Sequence, residues 1–229
     1  MLKRIKNLVN SFLKKRKEKK QIIKEKEGIL EVQDAFRLDQ LQYSPGAVGF
    51  STQELQFSIY QHVSKYIDAD ESIIDFGCGR GDFLAYRINR LGLDVDYLGI
   101  DKDLEIIDAG RSIYKGIQLE CLDWNSIETK WDKKALSKDC AINILSCNVN
   151  YDNILNLNSE QYLLNIIDKM MSVSKKGILT FFEKSIIPED NTFIEYDIKS
   201  LTSILTKKYN ITTDYILKDM LLTLVITHK

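Results

Sequence analysis

The segment Ser72–Phe83, SIIDFGCGRGDF, constrains the fold more than any other stretch of the chain. A β-branched pair, Ile73 and Ile74, carries Asp75 at its end, breaks into Gly77, Gly79 and Gly81, and restarts as a helical pattern. Glycine where a strand turns into a helix lets the main chain approach a ligand without the steric cost of a Cβ. The helix start adds N–H groups and the positive end of a dipole. The segment reads as a cofactor-binding bend in an α/β sheet.

Spacing decides among cofactors. The dinucleotide fingerprint is G-x-G-x-x-G. Here the third glycine comes one residue early, at Gly81, and Asp82 stands at the fingerprint position. No lysine follows as a P-loop requires, so a triphosphate cradle is excluded too. A second strand-like run, Asp96–Asp101, ends in an acid 20 positions after Gly81. A doubly wound sheet puts the carboxylate that grips a ribose diol there. A third run, Ile117–Cys121, is followed by Leu122-Asp123-Trp124, which offers an acid and an aromatic ring at the same sheet edge.

With these residues the chain resembles the class I S-adenosylmethionine-dependent methyltransferases, from about residue 43 to the C-terminus. The resemblance implies that Asp75 and the glycines at 77, 79 and 81 hold the amino-acid end of S-adenosyl-L-methionine. It also implies that Asp101 binds the ribose hydroxyls and that Asp123 meets the adenine. Lys102, Trp124 and Ser146, beside these positions on the same edge, complete the expected cofactor set. The chain is also similar to compact phage and bacterial methyltransferases, through Gly49-Phe50 before the first helix and Ser146-Cys-Asn148 after the fourth strand.

The remaining pattern predicts a Rossmann-like doubly wound α/β sheet of about seven strands. A helix with Ser51 or Thr52 as its cap leads into the first strand. Helices are expected over Phe83–Leu91, Leu104–Tyr114 and Gln161–Val173, with strands at Tyr97–Asp101, Ile117–Cys121, Ala141–Leu145 and Gly177–Phe182. Alternation of this kind argues a parallel sheet covered on both faces. The tail Asp214–His228 looks like the antiparallel strand pair that closes such sheets, the last strand running backwards. Right-handed crossovers bring the C-terminal ends of the parallel strands to one rim, which gathers Asp75, Asp101, Asp123, Ser146 and Glu183.

The acceptor side is expected after the fourth strand, in Ser146–Asp152, where Asn148 and Tyr151 join Glu183 as catalytic candidates. The Asp/Asn-Pro-Pro-aromatic element of enzymes that methylate base amines is missing, and so is a Pro-Cys nucleophile element; the only prolines are Pro45 and Pro188. Methyl transfer from a sulfonium requires a general base only when the acceptor must lose a proton. His62 and His228, on an upstream helix and at the terminus, are weak candidates for that role.

Net charge is −1, but residues 1–27 hold eleven Lys/Arg against three Glu, which leaves 21 basic and 30 acidic residues in the rest. The chain therefore divides into a basic amphipathic extension, 1–27, and a methyltransferase-like domain, 28–229. Leu2, Ile5, Leu8, Val9, Phe12 and Leu13 recur at helical spacing among lysines. Such a helix packs on the body or on a second copy, attracts nucleic acid, or lies on an anionic membrane surface. A non-catalytic body attached to an assembly through this arm is the alternative to an enzyme. Cysteines 78, 121, 140 and 147 have no zinc or redox spacing, so no metal is expected. No apolar run approaches the roughly 20 residues of a membrane span, and the lysine-rich start has no apolar signal core. A cytoplasmic protein is expected.

Overall fold

The computed structural model describes Phe50 and residues 52–123, 137–148, 159–182, 195–217 and 221–229. Helix α1 (Gln53–Ser64) is capped by Thr52, whose Oγ1 accepts the Leu55 N–H at 3.2 Å. Strand β1 (Ile73–Phe76) leads through the glycine bend into α2 (Asp82–Tyr86) and a π-helical turn, Arg87–Leu91. Then come β2 (Tyr97–Asp101), α3 (Leu104–Ile113), β3 (Gln118–Cys121) and β4 (Lys138–Ile144). A 3₁₀ turn, Ser146–Asn148, precedes α4 (Ser159–Val173), β5 (Ser174–Phe182), α5 (Ile198–Lys208), β6 (Tyr209–Ile216) and β7 (Leu221–His228).

The strand order is β3-β2-β1-β4-β5-β7-β6. Strand β7 runs antiparallel to both of its neighbours, and the other pairs are parallel. The expected seven-stranded sheet with a reversed last strand is therefore present. Strand order changes direction between β1 and β4, which defines the switch point where such sheets take ligands. Two compact units divide the chain within α1, between Ile59 and Tyr60, and every strand belongs to the second.

Alternation along the strands builds two apolar layers. Ile74, Phe76, Leu98, Ile100, Leu179, Phe181, Leu222 and Leu224 join Leu163, Ile167 and Met170 of α4 and Leu201 and Leu205 of α5 in one buried cluster. Strand residues of opposite parity face the other way, with Gly99 and Leu119 packed under α3 at Gly110. On that side the Tyr60 ring meets Phe83 and Tyr86 edge-on at 5.3 and 5.7 Å.

Three elements differ from the sequence reading; one is β6, which starts at Tyr209 rather than at the expected Asp214. The expected Phe83–Leu91 helix is α-helical only to Tyr86, then widens into the π turn, which closes at Gly92 in the left-handed region (φ 69°). Helix α5 was not read at all, although Leu201 and Leu205 are buried and Ile198 packs beside them at helical spacing. Its start is written in Asp197, whose carboxylate accepts the Lys199 and Ser200 N–H groups at 3.0 and 3.3 Å.

A Cβ at Gly110 would lie 2.4 Å from the main-chain oxygen of Arg80 and 2.7 Å from Leu119 Cδ1. Gly110→Ala is expected to destabilise the protein by about 1–3 kcal/mol, the usual cost of overpacking. Urea denaturation measures this, and an unchanged midpoint would contradict the close approach.

Candidate cofactor and active site

Glycines 77, 79 and 81 have φ of 76°, 57° and 81°, a region that side-chain-bearing residues rarely enter. The bend they form is tied to the end of β2. The Gly77 and Cys78 N–H groups donate to the Ile100 carbonyl at 2.8 and 3.0 Å. The Gly79 N–H donates to Asp101 Oδ2 at 2.9 Å, and the Gly81 N–H to the Cys78 carbonyl at 3.0 Å. Four amides are thus used by the protein itself, and α2 has only five residues. This bend is no phosphate cradle, which agrees with the spacing that disfavours a dinucleotide. Arg80 and Asp82, both within the loop, form a buried ion pair at 2.6 Å, and the Tyr114 hydroxyl donates to Asp82 at 2.8 Å.

The two adjacent strand-end acids occupy different environments. Asp75 is 2% exposed and accepts the Tyr97 hydroxyl on Oδ2 at 2.7 Å. Burial pushes its carboxyl up to about 7; the Tyr97 hydrogen bond opposes this and the Asp101 charge adds to it. Neither neighbour is a cation, whereas buried carboxylates are ordinarily paired with one. A ligand with a positive end fits this acid. Asp101 accepts from Gly79 on Oδ2 and from the Asp103 N–H, 3.0 Å away, on Oδ1. Burial raises its carboxyl, and the amides of Asp103 and Gly79 counter the rise. The Lys102 amide adds to these, and two carboxylate oxygens with about four lone-pair sites still leave accepting capacity for a hydroxyl.

Lys102 follows Asp101 directly, and Asp123 is exposed two residues beyond β3. Between β1 and β4 a polar tie closes the switch point. Asn143 Nδ2 donates to the Phe76 carbonyl at 3.0 Å and to Ser146 Oγ at 2.6 Å, while Asn143 Oδ1 accepts from the Cys147 N–H at 3.3 Å. Ser146 also donates to the Phe76 carbonyl, at 3.3 Å. Leu145, between them, has φ 64°, a strained setting for a leucine that costs about 1–3 kcal/mol. The sequence reading missed Asn143, although a fully buried amide inside the apolar run Cys140–Leu145 was its signal. It also missed Tyr97 as the partner of Asp75, because a tyrosine in a strand reads as packing.

Asn148 is buried and grips one residue from both sides: its Nδ2 donates to the Phe182 carbonyl at 2.8 Å and its Oδ1 accepts the Phe182 N–H at 2.7 Å. This clamps the turn after β4 to the end of β5. Trp124, Tyr151, Glu183 and the arm 1–27 lie outside the described residues. His62 is buried with Nε2 3.7 Å from Asp214 of β6, and His228 Nε2 is 3.1 Å from the Ser174 carbonyl, where β5 begins. Among the described residues Cys78, Cys140 and Cys147 are buried free thiols, Cys121 is exposed, and no cluster of metal-ligating side chains occurs.

Asn148→Ala is expected to cost about 1–3 kcal/mol, because two main-chain groups of Phe182 lose their partner. Chemical denaturation checks it, and stability equal to that of the parent would remove the clamp from the picture.

No protein-family model and no curated protein matches the chain in sequence. Solved structures do match it. The PH0226 protein from Pyrococcus horikoshii OT3 superposes with a TM-score of 0.60 at 15% identity, covering 87% of this chain and 100% of its own. A TehB-like SAM-dependent methyltransferase from Corynebacterium glutamicum gives 0.50 at 14%, covering 75% of this chain and 87% of its own. An S-adenosylmethionine-dependent methyltransferase from Mesorhizobium loti gives 0.51 at 12%, covering 73% and 96%. The fold is that of the class I S-adenosylmethionine-dependent methyltransferases.

Proposed function

We propose that the chain is an S-adenosylmethionine-dependent methyltransferase. One observation carries the reading: two buried or half-buried acids end adjacent strands, Asp75 within β1 and Asp101 of β2, around a glycine bend at the switch point. In this reading Asp75 and the bend (Gly77, Gly79, Gly81) take the cationic amino-acid end of S-adenosyl-L-methionine. Asp101, with Lys102 beside it, takes the ribose hydroxyls. Asp123 and Trp124 meet the adenine, and Ser146 borders the reacting centre.

The bound cofactor supplies a methyl group on a sulfonium, already activated for in-line displacement. What remains for the protein is alignment and exclusion of water, and positioning alone is worth roughly 7–11 kcal/mol. Asn143 and Asn148 serve alignment by fixing the turn after β4 against β1 and β5. Tyr151 and Glu183 are the acceptor-facing groups in this reading, with Asn148 positioning the turn that leads to them. The acceptor is a small molecule or a polymer reached with help from the basic arm. Among the described residues no helix is long and apolar enough to cross a membrane, and a cytoplasmic site of action fits the reading.

Calorimetric titration is expected to give binding of S-adenosylmethionine and none of NAD. Asp101→Ala should weaken the former about ten- to a hundredfold, the range for hydrogen bonds to a charged group. Binding of neither compound would favour the non-catalytic alternative. Incubation with labelled methyl donor and cell extract should then label an acceptor. For the arm, replacing Lys14, Lys15, Arg16 and Lys17 by glutamine is expected to reduce retention on heparin or on anionic vesicles. Unchanged retention on both would leave packing on the body or on a second copy as its role.

A further inference from the structure

Asp75 sits among a small set of groups. From β2 come the Tyr97 hydroxyl, 2.7 Å from Oδ2, and the Asp101 carboxylate; from the bend comes the Cys78 thiol; from α1 comes Tyr60, which acts on Tyr97. Directly opposite Asp75 in register is Gly99, so β2 offers no side chain at that level. The space is filled instead by Leu119 and Cys78, whose nearest atoms would lie 2.7 and 2.8 Å from a Cβ there. Tyr97 stands two residues earlier on the same face and reaches diagonally to the acid. Its ring is 4% exposed, so its hydroxyl is committed to this contact rather than to water.

We propose that Tyr97 is a positioning residue for the cofactor: by donating to Oδ2 it favours the ionised, oriented form of Asp75, so that capture of the cationic amino-acid end is coupled to loss of one proton. This rests on the cofactor reading above and adds to it a residue and a proton. Without a cation nearby, burial holds the Asp75 carboxyl near 7, so that about half of it is protonated at neutral pH and most of it at pH 6. As the ammonium end enters, the Asp75 carboxyl releases its proton to solvent and becomes the carboxylate that pairs with it. A phenol donor stabilises the charged form only, so it lowers the pH at which this exchange becomes easy. The sign follows. Affinity through Asp75 is full above the carboxyl's titration and falls as pH drops below it, by up to about tenfold per pH unit for one linked proton.

The experiment is calorimetric titration of the full chain with S-adenosylmethionine from pH 6 to 9, for the parent, Tyr97→Phe and Asp75→Asn. The ligand's own α-ammonium, ordinarily near 8, titrates alike in every variant, so ratios between variants report the protein's group. Tyr97→Phe is expected to bind about tenfold more weakly than the parent at pH 6.5 and equally at pH 8.5. Asp75→Asn should be weak throughout, with no pH-dependent difference of its own. A deficit in Tyr97→Phe that is the same at every pH, or no deficit, overturns the proposal while leaving the cofactor reading intact. Absence of parent binding at all pH values overturns both. Should Tyr97→Phe fail to fold, infrared difference spectra of the parent decide. Binding at pH 6.5 must remove a protonated-carboxyl stretch, and an unchanged carboxyl band overturns the proposal.

Discussion

The end of β2 holds the glycine bend, and the rest of the site is arranged around that attachment. A single carbonyl, Ile100, takes two consecutive amides, and the next residue's carboxylate takes a third. A turn with three residues at positive φ has no regular ladder of its own, so its amides need partners supplied from outside. Strand β2 supplies them because it lies parallel to β1 in full register from Ile73↔Tyr97 to Phe76↔Ile100. Sheet pairing therefore fixes the bend, and the bend fixes the distance between the acids of the two strands. In the proposed reading the acid that anchors the turn also meets the ribose, so that loop shape and ligand contact would share one side chain.

Charge is distributed unevenly along this rim. Asp101 is surrounded by main-chain donors, which suit a neutral hydroxyl pair as the ligand group. Asp75 has a phenol for company and lies deeper, which suits a cation. Toward β4 the chemistry changes from charge to amide: Asn143 and Asn148 make neutral hydrogen bonds to main chain, and Asn143 to Ser146 as well. That order, two carboxylates on one side of the switch point and neutral amides on the other, is what the proposed reading requires, with the cofactor carrying the positive charge and the protein's task being placement.

Much of this was legible in the chain itself. The glycine spacing and the acids at 75 and 101 were readable because strand-end carboxylates and glycines have few other reasons to recur in that pattern. Strand β2 was bounded to the residue, since Tyr97–Asp101 is a continuous buried run between polar turns. What escaped was of two kinds. Helix α5 escaped although Ile198, Leu201 and Leu205 stand at helical spacing against the core, because threonines, serines and lysines dominate the rest of the segment. Asn143, Tyr97 and the double grip of Asn148 escaped because their roles depend on which strands become neighbours. Sequence distance hides the Asn148–Phe182 and Asn143–Phe76 contacts, which join residues 34 and 67 positions apart.

At Gly110 the bend's closest approach to α3 is the main-chain oxygen of Arg80. Every residue type carries that oxygen, so no exchange at position 80 can make room for a larger neighbour at position 110. A second mutation cannot rescue the first by ordinary side-chain compensation, and only a displacement of the whole turn would. The smallest residue at 110 is thereby fixed by backbone geometry rather than by the identity of the residue it touches, which makes a helix far along the chain a silent guardian of the shape of the crevice.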